Sequence, residues 1–510
     1  MTRASQLIAD YVARIERARV YETAIETRLD YAPRLSRRLD CEVMLKREDL
    51  QQIFSFKCRG AQNRLAQLPP ETLRRGVVCS SAGNHAQGVA LAAARLNTRA
   101  LIVMPKGTAS IKTEAVSALG GEIVLYGQAY DDAYAHALAL AGQHGLEFVH
   151  PFADPDVIAG QGTIGKELQT QCEQAPAAVF VPIGGGGLAS GLGAWLRHCW
   201  PQTMIVGVEP VDAASMQAAL AAGAPVELDH VGIFVDGVAV RRVAEETWRL
   251  CSEVIDQMIQ VDTDEICAAI KDVYEDTRVV TEPAGALAVA GMKRYAEQNE
   301  LAGESLISIV SGANLNFDRL RHISERADIG ENLEALFAVE IPEQRGAFLS
   351  FCKALGSRSV TEFNYRYSPG ERARIFVGVG LSGSRADAGD ISQALSGSGY
   401  RVLDISNNEL AKLHVRHMIG GPAASLDDEV VYRFEFPEQP GALLAFLQSV
   451  GVRWNISLFH YRNHGSDYGR VLAGIQVPAA QRGEFIEHLD TLGYSYWSES
   501  GNPAYDLFLA

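Results

Sequence analysis

Residues 1–325 are predicted to fold as an α/β unit on two parallel sheets, and residues 335–406 and 429–500 as two small α+β units. Two observations carry this prediction. In the first part, short Val/Ile/Leu-rich runs without polar alternation recur between helical patterns, as expected for strands buried on both faces. In the second part, the stretch Pro342-Glu343-Gln344-Arg345-Gly346-Ala347-Phe348-Leu349-Ser350-Phe351 recurs as Pro437-Glu438-Gln439-Pro440-Gly441-Ala442-Leu443-Leu444-Ala445-Phe446. That spacing is far longer than a solenoid period, so the repeat marks duplicated domains.

The 510-residue chain has 47% hydrophobic and 21% charged residues, the composition of a multidomain globular protein. A net charge of −16 argues against a nucleic-acid groove or an anionic membrane as partner. No apolar run approaches the ~18 residues of a membrane span. Cysteines 41, 58, 79, 172, 199, 251, 267 and 352 are scattered without a C-x-x-C pair. They read as reduced thiols packed as small hydrophobes. The N-terminus carries Asp10, Glu16 and Glu22 among its basic residues and resembles no targeting peptide, so a cytoplasmic location is expected.

In chain order, residues 4–20 carry Leu7, Ile8, Tyr11, Val12 and Ile15 at helical spacing and predict an amphipathic helix, either a cap on the domain or part of a subunit interface. Strand runs then follow at 43–45, 76–79, 100–104, 122–125, 178–181, 204–208 and 306–310. In parallel sheets ligands bind at the carboxyl ends of strands. Three such ends carry small-polar loops: Ser80-Ser81-Ala82-Gly83-Asn84-His85, Gly184-Gly185-Gly186-Gly187-Leu188 and Ser311-Gly312-Ala313-Asn314.

The tetraglycine loop lets backbone amides approach a phosphate at a helix start. It also contains a loose dinucleotide fingerprint, Gly184-x-Gly186-x-x-Ala189, with Glu209 at the next strand end, which keeps a nicotinamide-linked oxidoreductase as the rival reading. The Ser80–His85 loop offers hydroxyls, amides and a carboxamide suited to a substrate carboxylate. Asn84 equally suits a turn, and His85 reads as a structural hydrogen-bonder rather than a base. Upstream, Ser55-Phe56-Lys57-Cys58-Arg59-Gly60 places a lysine among few polar neighbours. Burial lowers a lysine pKa from ~10.4 and makes its amine a nucleophile. The bland alternative is a lysine paired with Glu48 or Asp49.

In the second half, residues 326–334 read as a linker. Each copy of the repeat opens with a strand (Leu336 to Ile341; Val430 to Phe436). A helix with Phe348, Leu349, Phe351, Cys352 and Leu355 on its apolar side follows in the first copy, then strands ending in Tyr365-Arg366 and Tyr461-Arg462. His414, His417, His460 and His464 lack a cysteine or carboxylate set to complete a metal shell, so no metal site is expected.

Ser-Phe-Lys-x-Arg-Gly-Ala, Ser-Ser-Ala-Gly-Asn-His-Ala-Gln-Gly, Gly-Gly-Gly-Gly-Leu and Ser-Gly-Ala-Asn-Leu-Asn, in that order, resemble the threonine and serine dehydratases. Those belong to the tryptophan-synthase-β class of pyridoxal-phosphate enzymes, and the likeness runs over most of residues 20–325. It implies a two-lobed fold type II catalytic domain with pyridoxal 5'-phosphate on Lys57. It further implies Asn84 at the ring hydroxyl, residues 184–188 at the phosphate, and Ser311 at the pyridine nitrogen. The duplicated units resemble ACT-like regulatory domains of the biosynthetic members. That implies L-threonine as substrate with L-serine secondary, isoleucine and valine as effectors, and a homotetramer.

Overall fold

The computed structural model describes the chain except residues 1–2, 343–349, 352–353, 357, 359, 366–371, 383–384, 418–427, 438–453, 463–467 and 509–510. It divides into two compact units, Met1–Asn316 and Phe317–Ala510.

The first unit holds two sheets. Strands β1 (Leu29–Tyr31), β2 (Glu42–Arg47), β7 (Ala178–Pro182), β8 (Met204–Pro210), β9 (Gln257–Val261) and β10 (Ser305–Val310) form one, in the order β1-β2-β10-β7-β8-β9. Every pair in it is parallel except β1 with β2. The other sheet is parallel throughout, with β3 (Val77–Ser80), β4 (Ala100–Met104), β5 (Glu122–Leu125) and β6 (Glu147–Phe148) in the order β5-β4-β3-β6.

The unbroken apolar runs have a direct cause: both faces of each sheet are covered. In the smaller sheet, Val77, Cys79, Ile102 and Met104 pack with Ala86, Val89 and Ala93 of helix Asn84–Arg95. Their alternates Val78, Leu101 and Val103 pack with Ala133 and Ala137 of helix Tyr130–His144. In the larger sheet, Val179, Val181, Ile205 and Ile307 meet Leu188, Leu192 and Leu196, while Phe180 meets Tyr295 edge-on on the opposite face. All seven predicted strand runs are present. The short β1 and β6, and the alternating β9, lack an apolar run and escaped the pattern.

The N-terminal helix spans Arg3–Glu16 rather than 4–20. It caps its own domain: Tyr11 packs with Ile158, Ala194 and Leu250, and Ile15 with Ala159 and Trp195.

The second unit carries two four-stranded antiparallel sheets of one topology. Strands β11 (Glu334–Pro342), β12 (Val360–Tyr365), β13 (Arg372–Gly380) and β14 (Arg401–Asp404) run β12-β13-β11-β14. Strands β15 (Glu429–Pro437), β16 (Asn455–Arg462), β17 (Tyr468–Gln476) and β18 (Ser495–Ser498) run β16-β17-β15-β18. Each copy adds a helix and a closing strand to the expected strand–helix–strand–strand unit, with helices Arg385–Gly397 and Arg482–Leu492. Of the predicted apolar helix face, Phe351 and Leu355 are buried in the first core; Phe348, Leu349 and Cys352 lie outside the described residues, as do most of both Pro-Glu-Gln motifs. His414 is buried and His417 exposed, whereas His464 and the side chain of His460 also lie outside the description.

The expected boundaries need correction. The supposed linker 326–334 is helical to Gly330, because helix Leu320–Gly330 buries Ile323, Ala327 and Ile329. Nor do the copies end at 406 and 500. Helices Glu409–Leu413 and Pro503–Phe508 bury Leu410, Ala411, Ala504 and Phe508 in a core shared by both sheets, and Asn408 Nδ2 donates to Asn502 Oδ1 at 3.1 Å between their starts. The apolar residues beyond these breaks decide the boundaries.

Candidate active site

Lys57 is the first residue of helix Lys57–Ala66. Two glycines let neighbouring helices pack against this one backbone to backbone. A methyl group on Gly88 would lie 2.9 Å from Lys57 O, and one on Gly160 would lie 2.6 Å from Gly60 Cα. The lysine is half-buried, and its Nζ donates to Pro151 O at 3.0 Å. Desolvation lowers its pKa to about 8, against an opposing pull from the Glu282 charge. Its place at the positive end of a helix disfavours the ammonium further.

The nearby carboxylates named as its alternative partners are engaged elsewhere. Glu48 Oε2 accepts from Arg59 Nε at 2.8 Å, and Asp49 Oδ2 from Arg47 Nη2 at 2.7 Å, so the bland ion pair does not form. Arg59 is wholly buried between Glu48 and Glu167, which holds the local fold and leaves no proton-transfer role.

The three strand-end loops converge on this helix. The Ser311 loop is tied to it through backbone bonds: Phe56 N–H donates to Ser311 O at 3.2 Å, and Ala313 N–H to Phe54 O at 2.8 Å. Phe54 takes a left-handed φ of 53° to make that approach. Ser311 is buried, with its Oγ donating to Ala284 O at 3.0 Å.

The loop after β3 opens helix Asn84–Arg95. Asn84 donates through Nδ2 to Glu282 Oε1 at 2.7 Å and accepts at Oδ1 from Asn314 Nδ2 at 2.6 Å. Ser81, Ala82 and Gly83 are half-buried, and a methyl group on Gly83 would meet nothing within 4 Å, so this loop borders open space. Ser80 Oγ is buried without a hydrogen-bond partner. His85 stands 3.0 Å from Val149 O through Nε2, and burial drops its pKa to about 3, so it is a neutral structural histidine.

The tetraglycine loop ends β7 and starts helix Gly187–Cys199, with Gly186 at a φ of 86° that favours glycine. The first helical bond runs from Ser190 N–H to Gly186 O, so the amides of Gly187, Leu188 and Ala189 precede internal bonding at the positive helix end. The Leu188 side chain lies in the core, leaving its backbone to act. Phe152 joins this loop to the lysine: Pro151 accepts from Lys57, while methyl groups on Gly185 and Gly187 would collide with the Phe152 ring and carbonyl.

Glu209, the acid of the rival dinucleotide reading, is fully buried. Its two oxygens accept from Met216 N–H and Gln217 N–H at 2.7 and 2.9 Å, holding helix Ser215–Ala222, and their burial closes them to a ribose.

Four contributors were not assigned from sequence. Asn314 and Glu282 fix Asn84; Pro151 receives the lysine; and His150 stands beside it, held neutral by burial with a pKa of about 4. Glu282-Pro283 at the start of helix Pro283–Gln298 was the one available signal, a buried acid where a helix begins.

A poised amine, a carboxamide donor, orphaned buried polar atoms and an amide-lined helix start fit pyridoxal phosphate, whose aldehyde, ring oxygen and phosphate need those groups. Fold and site together define a pyridoxal-phosphate-dependent enzyme of fold type II. Residues 20–312 match the family described as "Pyridoxal-phosphate dependent enzyme", and residues 325–415 and 420–509 match "C-terminal regulatory domain of Threonine dehydratase". The L-threonine dehydratase biosynthetic IlvA of Burkholderia multivorans is 52% identical over 504 residues, covering 98% of this chain and 99% of its own. The processed form of threonine deaminase isoform 2 from Solanum lycopersicum superimposes with TM-score 0.62 at 48% identity, over 63% of this chain and 94% of its own. The maize serine racemase does so with TM-score 0.57 at 30% identity, over 62% and 95%. This chain belongs to the biosynthetic threonine dehydratase family.

Proposed function

We propose that the protein converts L-threonine to 2-oxobutanoate and ammonia using pyridoxal phosphate carried on Lys57, with L-serine as a secondary substrate. The observation that carries this reading is the Lys57 amine, brought to a pKa of about 8 and free of any carboxylate hydrogen bond.

When bound, pyridoxal phosphate supplies an aldehyde that captures amines and a ring that draws electrons from Cα. The chain's residues do the rest. The amides of Gly184, Gly185, Gly186, Gly187 and Leu188 would hold the phosphate. Asn84 would donate to the ring oxygen, and Ser311 would stand at the ring nitrogen. Residues Ser80, Ser81, Ala82, Gly83, Asn84 and His85 orient the substrate carboxylate through hydroxyls and amides at a helix start. The Lys57 amine would take the Cα proton, and the β-hydroxyl would leave with one proton as water, so that H from Cα and OH from Cβ balance the elimination. Ser311 is neutral, so it would not hold a proton on the ring nitrogen, which would favour elimination over transamination.

The second unit is the regulatory half, and isoleucine as inhibitor opposed by valine is its proposed ligand pair, in a cytoplasmic homotetramer. The family match of residues 325–415 and 420–509 supports the regulatory role. Purified protein should show a visible absorption band that shifts on adding threonine, with 2-oxobutanoate formed and isoleucine slowing it. A colourless protein that accepts no pyridoxal phosphate would sink the reading.

A further inference from the structure

Glu282 is an acid at the heart of this site to which the chemistry above gives no part. It is buried, at the start of helix Pro283–Gln298, with its backbone N–H donating to Gly312 O at 3.3 Å. A methyl group on Gly312 would stand 2.3 Å from its Oε1, so glycine there makes room for the carboxylate. Oε1 accepts from Asn84 Nδ2 at 2.7 Å. On the other end of the same amide, Oδ1 accepts from Asn314 Nδ2 at 2.6 Å, and Asn314 is itself anchored on Ile53 O at 2.7 Å.

A carboxamide held at both ends has one orientation. A carboxylate only accepts, so it dictates that the nitrogen of Asn84 faces it. One Nδ2 hydrogen goes to Glu282 and the second is left as a donor. The oxygen, already engaged by Asn314, is turned away. The same carboxylate is the charged group acting on Lys57, since His85 and His150 near it are neutral.

We propose that Glu282 is a positioning residue: it locks Asn84 as a donor toward the ring oxygen of the cofactor. The inference rests on the pyridoxal-phosphate reading above. Gln and Ala substitutions separate the hydrogen bond from the charge. Glu282→Gln keeps an oxygen to accept from Asn84 and removes the charge. Glu282→Ala removes both.

The test uses the full-length protein and its two variants. Pyridoxal phosphate affinity is measured by spectral titration. Affinity in Glu282→Ala should drop roughly ten- to hundred-fold, the loss of a hydrogen bond to a charged group, and in Glu282→Gln by much less. Equal affinity in all three proteins would overturn the proposal. A lower melting temperature with unchanged affinity would assign Glu282 to the helix start alone. Failure of the wild type to bind pyridoxal phosphate would instead overturn the parent reading, and this one with it.

Discussion

Arg59 Nε meets Glu48 Oε2 at 2.8 Å with both side chains wholly buried, in the same helical turn as Lys57. Glu167 closes the group: it accepts from Arg59 Nη1 at 2.5 Å and from Lys46 Nζ at 2.6 Å, and it too is buried. Such a cluster adds little net stability when intact, since desolvation offsets attraction. Breaking it is costly. Arg59→Met should destabilise the protein by about 3–5 kcal/mol, because two carboxylates lose their main partner. Arg59→Lys should rescue little, because one ammonium cannot reproduce the forked contacts to both acids. Chemical denaturation of the cofactor-free protein measures both; a Lys variant as stable as wild type would refute the forked requirement.

That cluster also shows what the sequence hides. Lys57 and the three loops were legible because each is a local pattern: a lysine without polar neighbours, or small residues after an apolar run. Glu282, Asn314 and Pro151 were not, since their roles depend on contacts between segments far apart in the chain, as in the Asn84–Glu282 bond. Strands followed the same rule. Doubly covered strands advertise themselves by composition, whereas β1 and β6 are too short to carry a pattern. The Gly330 break misled because apolar residues on both sides of it are buried in one core.

Turnover should depend on pH through Lys57. Its pKa sits at about 8, below the ordinary lysine value, so the neutral amine grows as pH rises through that point and levels off above it. Capture of pyridoxal phosphate by the cofactor-free protein should follow the same rise. Lys57→Ala should retain the fold and lose turnover by several orders of magnitude. Borohydride reduction of the loaded wild type followed by peptide mapping identifies the carrier, and label on another lysine would exclude Lys57.

Glu209 titrates in the opposite sense. Burial raises its pKa to about 7, and the two amide donors only partly oppose that. The folded protein therefore holds a proton that the unfolded chain releases near pH 4.5. The resulting stabilisation is complete below that pH and is lost as pH rises through 7, on the order of 1–3 kcal/mol. Glu209→Gln keeps one amide bond and never ionises, so its melting temperature should fall less than wild type between pH 5 and about 8. Parallel curves for the two proteins would show that Glu209 stays ionised.

The division of labour between the halves can be tested by cutting after Asn316, where the two compact units part. A cut near Gly330 would leave helix Leu320–Gly330 on the wrong piece, with Ile329 stripped of the second unit's core. Residues 1–316 contain Lys57, Asn84, the tetraglycine loop and Ser311, and both parallel sheets are complete within them. They should bind pyridoxal phosphate and deaminate threonine. They should also be blind to isoleucine, because an effector shifts activity only through its differential affinity for two states, typically worth ~1–3 kcal/mol of coupling. Without the duplicated sheets there is nothing in the fragment for that difference to act on. Activity is compared with the full chain at equal cofactor occupancy over a range of isoleucine concentrations. Inhibition of the fragment matching that of the full chain would place the effector site among the catalytic loops, and the second unit would then need another function.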